Sequence, residues 1–184
     1  MLFQRDLRML HGQGQVFLRE VEHVEDHVFL ASVLSVVDRV HHFHDGLALM
    51  YDLLFAVHKL EHELSGLFVV THGAGLAALW GSWARYVMDK HISRFVQFAV
   101  NVMAVTNDFT DPRATALRGI EAIEHFFQQI GMPTSIPNLI GRKVTDEEIE
   151  TLVAKCSRGG KITLGAMEIL KPADMTAIYR LANA

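Results

Sequence analysis

The chain has 184 residues, of which 50% are hydrophobic and 21% are charged, and its mean hydropathy is +0.19. This length and composition suit one packed domain and argue against a disordered chain. A formal net charge of −4 gives no electrostatic basis for binding nucleic acid. No run reaches the roughly 18 apolar residues that a membrane helix needs. We therefore expect neither nucleic acid nor a membrane as a partner.

The N-terminus and the cysteine content predict a cytoplasmic protein. The first residues, MLFQRDLRMLHGQ, lack the basic-then-apolar pattern of a signal peptide. The single cysteine, Cys156, cannot form an internal disulfide, which is typical of proteins in a reducing compartment.

Charge divides the sequence into two regions. Residues 1–57 contain 4 Lys+Arg against 8 Asp+Glu, whereas residues 58–184 contain 13 of each. All 4 prolines lie beyond residue 111. We therefore predict an atypical, acidic and histidine-rich segment over residues 1–55 and a helical domain over residues 56–184.

The hydrophobic periodicity of the first two-thirds of the chain predicts helices. These helices are expected over residues 15–40 and 47–65, from Gly73 through GAGLAALWGSWARYVMDK, and over residues 92–105. Gly66 and the following LFVVT predict an interruption of the second helix by extended chain.

The last third of the chain carries clear helix start signals. They are Asp111-Pro112, Thr145 with Glu148 three residues later, and Lys171-Pro172. The first of these helices is expected to reach about Ile130, and the second to stop near Gly159-Gly160. The segment 131–141, with two prolines, predicts a loop. The result is an all-α domain of about six to eight helices, with no strand–glycine-rich turn–helix unit for a dinucleotide.

The residues that could carry chemistry are concentrated in the segment 58–73, HKLEHELSGLFVVTHG. His58 and His62 are four apart and share one helix face. His72 follows His58 by 14 residues, about 21 Å along an unbroken helix. Two imidazoles on one ion need nitrogens within about 4 Å, so the chain must turn back between them, at Gly66 and LFVVT. The spacing alone also suits histidines that are surface groups or hydrogen-bonded core groups.

The run HKLEHELSGLFVVTHGAGLAALWGSWARYV resembles the metal-binding signature of iron-containing alcohol dehydrogenases, in their C-terminal helical domain. The butanol-dehydrogenase-like group is the most similar. The resemblance continues through IGMPTSIPNLIG and CSRGGKITLGAMEILKPADMTAIYRLA and covers about residues 56–182. It implies that His58 and His72 are metal ligands. It also implies that His62 is a catalytic residue that lies on the substrate and nicotinamide side without binding the metal.

The resemblance implies NAD(P)-dependent interconversion of a primary alcohol, such as butanol, and its aldehyde. Fe(II) or Zn(II) would polarise the substrate oxygen while hydride passes between substrate and nicotinamide. The partner would be a small-molecule alcohol or aldehyde, and a homo-oligomer is compatible with the sequence. Glu61 and Glu63 flank the histidines, and either could hydrogen-bond the second nitrogen of a ligating histidine. Such acids are more often solvated helix positions, so we place both outside the site.

The sequence also departs from the family. The nucleotide-binding α/β domain and an Asp-x-x-x-His ligand pair should precede His58 and are not found there. Asp38 and His42 have that spacing, but His42 lies only 16 residues before His58. We interpret the match as a coincidence. We expect the chain to be a truncated form, or one misread upstream. NAD(P) would then bind only with the missing domain, and the isolated chain would be inactive.

Two other functions fit part of the sequence. His58-x-x-Glu61-His62 matches the H-x-x-E-H motif of zinc peptidases, in which the glutamate activates a zinc-bound water. The chain could also be a helical fragment that binds metal without catalysis.

Overall fold

The structure, a computed structural model, describes the backbone of residues 44–165 and 168–184, and side chains within those ranges from Phe55 onward. The helix predicted over residues 15–40 therefore lies outside the described residues, as do Asp38 and His42.

Seven α-helices account for most of the described chain. They are α1 His44–Phe68, α2 His72–Val87, α3 Ile92–Asn101, α4 Pro112–Gln129, α5 Ile136–Ile140, α6 Asp146–Cys156 and α7 Pro172–Ala182. A 3₁₀ turn, Met88–Lys90, joins α2 to α3. Extended pairing within the described ranges is limited to one antiparallel bridge between Leu164 and Leu170. The predicted all-α fold is confirmed.

Helix α2 lies at the centre of the domain. It packs against α1, α4, α5 and α7, and most of its residues are buried. Small residues allow this, because a helix surrounded by others needs positions where a neighbour can approach closely. Trp80 and Trp83 fill the remaining space, with Trp83 against Phe95 and Trp80 against Phe98. Both tryptophans therefore belong to the core.

Helices α3 and α4 cross closely at a glycine. A Cβ placed on Gly119 would lie 2.5 Å from the Cβ and 2.7 Å from the Cα of Ala99. These distances are far below van der Waals contact, so only glycine permits this crossing. The pair fixes the position of α4 against α3.

The end of α1 differs from the prediction. The helix continues through Gly66 to Phe68, and the chain reverses instead at Val69, whose φ is 54°. Val69 takes the left-handed conformation that usually ends a helix at glycine, and its N–H donates to the Ser65 carbonyl. Gly66 did not break the helix because a glycine costs a helix only about 1 kcal/mol, less than the burial of Leu64 contributes.

Two other boundaries were also predicted wrongly. Segment 131–141 contains the short helix α5, which begins where the Ser135 hydroxyl accepts a hydrogen bond from the Asn138 N–H. Pro137 stands in its first turn, where a missing N–H costs nothing, so a proline read as a loop signal here marks a helix start. Helix α3 ends at Asn101, four residues before the predicted end.

The remaining helix starts are as predicted. Pro112 occupies the first turn of α4, and Thr145 with Glu148 forms the complete capping box of α6. Pro172 opens α7. None of the described helices combines the length and apolar character needed to cross a membrane.

Candidate metal centre

Helices α1 and α2 bring three histidines together. His58 and His62 lie one turn apart on α1, and His72 is the first residue of α2. The ring centroids of His58 and His72 are 4.9 Å apart, and those of His62 and His72 are 5.1 Å apart. His58 and His62 are farther from each other, at 6.2 Å. The predicted convergence of the three side chains is therefore present.

The separation of His58 and His72 fits a shared metal ion. A nitrogen about 2.1 Å from the metal places the ring centre about 3.2 Å from it. Two such rings then have centroids about 4.5 Å apart at an octahedral angle and about 5.2 Å apart at a tetrahedral one. The observed 4.9 Å lies between these values. The 5.1 Å between His62 and His72 also lies between them, and only the 6.2 Å between His58 and His62 exceeds both. Ring spacing therefore allows His72 to share an ion with either of the other two histidines and argues against a pair formed by His58 and His62.

A buried carboxylate contacts one of the three rings. Glu61, on the same helix as His58, is completely buried, and its Oε2 contacts the Nδ1 of His72. Its other oxygen accepts a hydrogen bond from the Ser65 hydroxyl. Among the described residues, Oε2 has this close contact with Nδ1 but no hydrogen bond. The interpretation of Glu61 as a solvated position was wrong, because the turn at Val69 folds α2 over this face of α1.

Gly75 makes room for that carboxylate. A Cβ at this position would lie 2.5 Å from Oε1 of Glu61 and 2.8 Å from its Cγ. Glu61 therefore sits in a notch that only a glycine on α2 leaves open. Glu63, the other flanking acid, is only half-buried.

Two buried side chains from the C-terminal helices hold α1 at the site. The Tyr179 hydroxyl donates to the Leu60 carbonyl at 2.6 Å, and the Cys156 thiol donates to the Lys59 carbonyl at 3.3 Å. Burial raises the pKa of the Cys156 thiol to about 12. Burial also raises the pKa of Tyr179 well above 10. Both groups thus stay protonated donors, and Cys156 is structural, as expected.

The described residues offer a second donor set that sequence reasoning did not consider. Single ligand atoms of Glu61, His62 and His72 all lie within 4.8 Å of one another. In this set the Glu61 carboxylate would itself be a ligand. If His58 and His72 are the ligands instead, Glu61 contacts only the His72 ring.

The geometry disfavours the peptidase interpretation. That mechanism needs His58 and His62 on one ion and a glutamate free to activate water. Those two rings are the most widely separated pair, and Glu61 is buried with both oxygens in contact with Ser65 and His72.

The sequence analysis considered Glu61 and placed it outside the site, although one signal favours including it. Gly75 follows His72 by three residues, so it lies on the same face of α2 as the histidine. A glycine on the face that carries a candidate ligand marks a place where another group approaches closely. The metal-binding roles of His58 and His72 and the catalytic role of His62 stay predictions.

Comparison with known proteins identifies the family. The model of the Fe-containing alcohol dehydrogenase family, C-terminal, matches residues 19–183. The match includes residues 19–55, and α1 runs across residue 55, so the division of the chain at that position stays a prediction.

Curated relatives are dehydrogenases about three times as long as the matched region. The NADH-dependent butanol dehydrogenase A of Clostridium acetobutylicum is 27% identical over 136 residues, 73% of this chain and 34% of that protein. A probable NADH-dependent butanol dehydrogenase of Bacillus subtilis is 28% identical over 126 residues, 68% of this chain and 31% of that protein. The chain thus spans about a third of the length of these relatives.

Solved structures agree with this match. The NADH-dependent butanol dehydrogenase A of Thermotoga maritima superposes with a TM-score of 0.61 at 29% identity, over 70% of this chain and 33% of that one. The aldehyde reductase YqhD of Escherichia coli gives 0.62 at 25% identity, over 69% and 32%. The chain therefore belongs to the Fe-containing alcohol dehydrogenase family, and its residues 19–183 correspond to that family's C-terminal part.

Proposed function

We propose that this chain forms the metal-binding part of an NAD(P)-dependent oxidoreductase that interconverts a primary alcohol and its aldehyde. The observation that carries the proposal is the 4.9 Å separation of the His58 and His72 rings, which suits one shared ion. The family match and relatives named as butanol dehydrogenases and an aldehyde reductase supply the reaction class. The substrate would be a small molecule, and a cytoplasmic location and a homo-oligomer stay predictions.

His58 and His72 would hold the ion. Imidazole nitrogens suit both Fe(II) and Zn(II), so the donor set does not select between them. When bound, such a cation acts as a Lewis acid toward the oxygen of the alcohol or aldehyde. The His72 side chain is 25% exposed, so solvent reaches this ring.

His62 would act on the substrate. Its ring lies 5.1 Å from His72 and 6.2 Å from His58, close to the pair and outside the spacing that suits a shared ion with His58. A half-buried imidazole can donate or accept a hydrogen bond near neutral pH. We therefore assign His62 to orienting the substrate hydroxyl or carrying its proton.

The described residues supply only part of a complete enzyme. Catalytic metal sites usually have at least three protein ligands, and His58 and His72 provide two. Residues 44–165 and 168–184 also contain no parallel βαβ unit for a dinucleotide. We propose that the other ligands and the dinucleotide site come from residues other than these, with Asp38 and His42 the less favoured source of ligands. The 184-residue chain alone should then bind metal weakly and show no turnover.

The proposal is tested by measuring metal binding and turnover on the same samples. Zn(II) binding is measured for the chain and for a variant carrying His58→Ala and His72→Ala, with His125→Ala, an exposed histidine on α4, as the control. NAD(P)H absorbance is followed with butanol or butyraldehyde in the presence of Zn(II) or Fe(II). Zn(II) binding that is lost only in the double variant supports the site. Equal binding by all three proteins contradicts it, and metal-dependent turnover by the chain would contradict its predicted inactivity.

A further inference from the structure

We propose that Glu61 is a positioning residue, which holds the His72 ring by its Nδ1–H so that Nε2 is the nitrogen presented beside His58. This inference deepens the proposed function and rests on it. The residue pattern alone allows several roles for Glu61, and the comparisons assign it none.

The contacts of Glu61 define this role. Its Oε2 contacts Nδ1 of His72, and its Oε1 accepts from the Ser65 hydroxyl one turn later on α1. A neutral imidazole carries one proton, so a carboxylate at Nδ1 places the proton there and leaves Nε2 bare. A ligating nitrogen must be bare, and a carboxylate on the other ring nitrogen is the common way to fix that state.

The surroundings show that the carboxylate is held in place. Glu61 is the one fully buried acid among the described side chains, and an isolated buried carboxylate is strongly unfavourable. Gly75 approaches so closely that any side chain there would displace it. Leu60 and Leu64, which flank Glu61 on α1, are completely buried and fix the helix face. Together these features aim the carboxylate at His72.

Direct ligation by Glu61 is the competing arrangement, since its oxygens lie near His62 and His72. It would require Oε2 to leave Nδ1 of His72 for the ion. The contact with Nδ1 and the 4.9 Å spacing of the His58 and His72 rings favour the positioning role.

The first test reads the proton directly. Nitrogen-15 spectra of the histidine rings are recorded on the metal-free 184-residue chain at a pH of about 8.5, where an ordinary imidazole is neutral. The His72 signals are assigned by their loss in His72→Asn. We expect Nδ1 of His72 to be protonated in the unmodified chain, in Glu61→Gln, which keeps an acceptor, and in the control Glu63→Ala. Glu61→Ala should lose this preference. A bare Nδ1 in the unmodified chain overturns the inference.

The second test adds Zn(II). The Nε2 resonance of His72 should shift on binding while the Nδ1 proton persists, and Glu61→Ala should bind Zn(II) about 10–100-fold more weakly than Glu63→Ala. Loss of the Nδ1 proton on binding would mean that His72 binds Zn(II) through Nδ1, the nitrogen beside Glu61, and the inference fails. If the unmodified chain binds no Zn(II), the proposed function fails, while the metal-free spectra still decide the Glu61–His72 contact. If circular dichroism shows that Glu61→Ala is unfolded, Gly75→Ala replaces it in both measurements, because the new methyl group displaces the same carboxylate.

Discussion

Replacing Gly75 by alanine tests the link between packing and the site with a single methyl group. The new Cβ would lie 2.5 Å from Oε1 and 2.8 Å from Cγ of Glu61, about 1 Å closer than van der Waals contact allows. Glu61 is completely buried, so its carboxylate can move away only by giving up its contacts with Ser65 and His72, and the clash should cost about 3 kcal/mol, the upper end for overpacking. The better helix propensity of alanine returns up to about 1 kcal/mol. The net destabilisation is therefore about 2 kcal/mol.

Gly66→Ala is the matched control, because Gly66 lies in the last turns of α1 and a Cβ there would meet nothing within 4 Å. It should be neutral or stabilise the fold by up to about 1 kcal/mol. Thermal unfolding of both variants should show a fall in Tm of about 4–8 °C for Gly75→Ala and no fall for Gly66→Ala. Equal Tm values for the two variants would show that Glu61 does not occupy the notch at Gly75, and the site geometry would be wrong.

Three further predictions concern buried groups that hold α1 in place and the cap of α6. Burial raises the pKa of Cys156 from 9.0 to about 12, so alkylation of this thiol at pH 8 should be about 1,000-fold slower in the folded chain than in the urea-unfolded chain. Similar rates in the two states would contradict the burial of Cys156. Tyr179→Phe removes a buried hydrogen bond to the Leu60 carbonyl and should lower the free energy of unfolding in urea by about 1 kcal/mol; an unchanged value would mean that the bond is not made. The Arg142 guanidinium and the Thr145 N–H lower the pKa of Glu148 from 4.5 to about 2, so its contribution to stability is present above pH 4.5 and lost as pH falls toward 2. Arg142→Ala should lose less stability over that interval, and an identical acid titration would contradict the ion pair.

Local signals predicted the elements that depend on local chemistry. Pro112 at the start of α4 and the Thr145–Glu148 capping box of α6 act within one turn of helix, and the structure places both as expected. The spacing of His58 and His62 likewise depends only on helix geometry. The sequence also predicted that the chain turns back between His58 and His72, because two imidazoles on one ion must lie close together. It did not predict the residue at which the chain turns.

The errors arose where tertiary packing decided the outcome. Gly66 stays helical because the flanking turns of α1 are packed in the core, so the reversal moves to Val69, a residue whose side chain gives no turn signal. The burial of Glu61 depends on α2 folding across α1 and on the absence of a side chain at Gly75. No window of neighbouring residues contains that information, since it lies in the contact between two helices.

The most direct test of the account is calorimetric titration of the 184-residue chain with Zn(II). We expect one weak site per chain. Either His58→Ala or His72→Ala should weaken binding at least about tenfold, or about 1.4 kcal/mol, and the control His125→Ala should leave it unchanged. Binding that is insensitive to both cluster variants, or reduced equally by His125→Ala, would show that His58 and His72 do not share a metal ion.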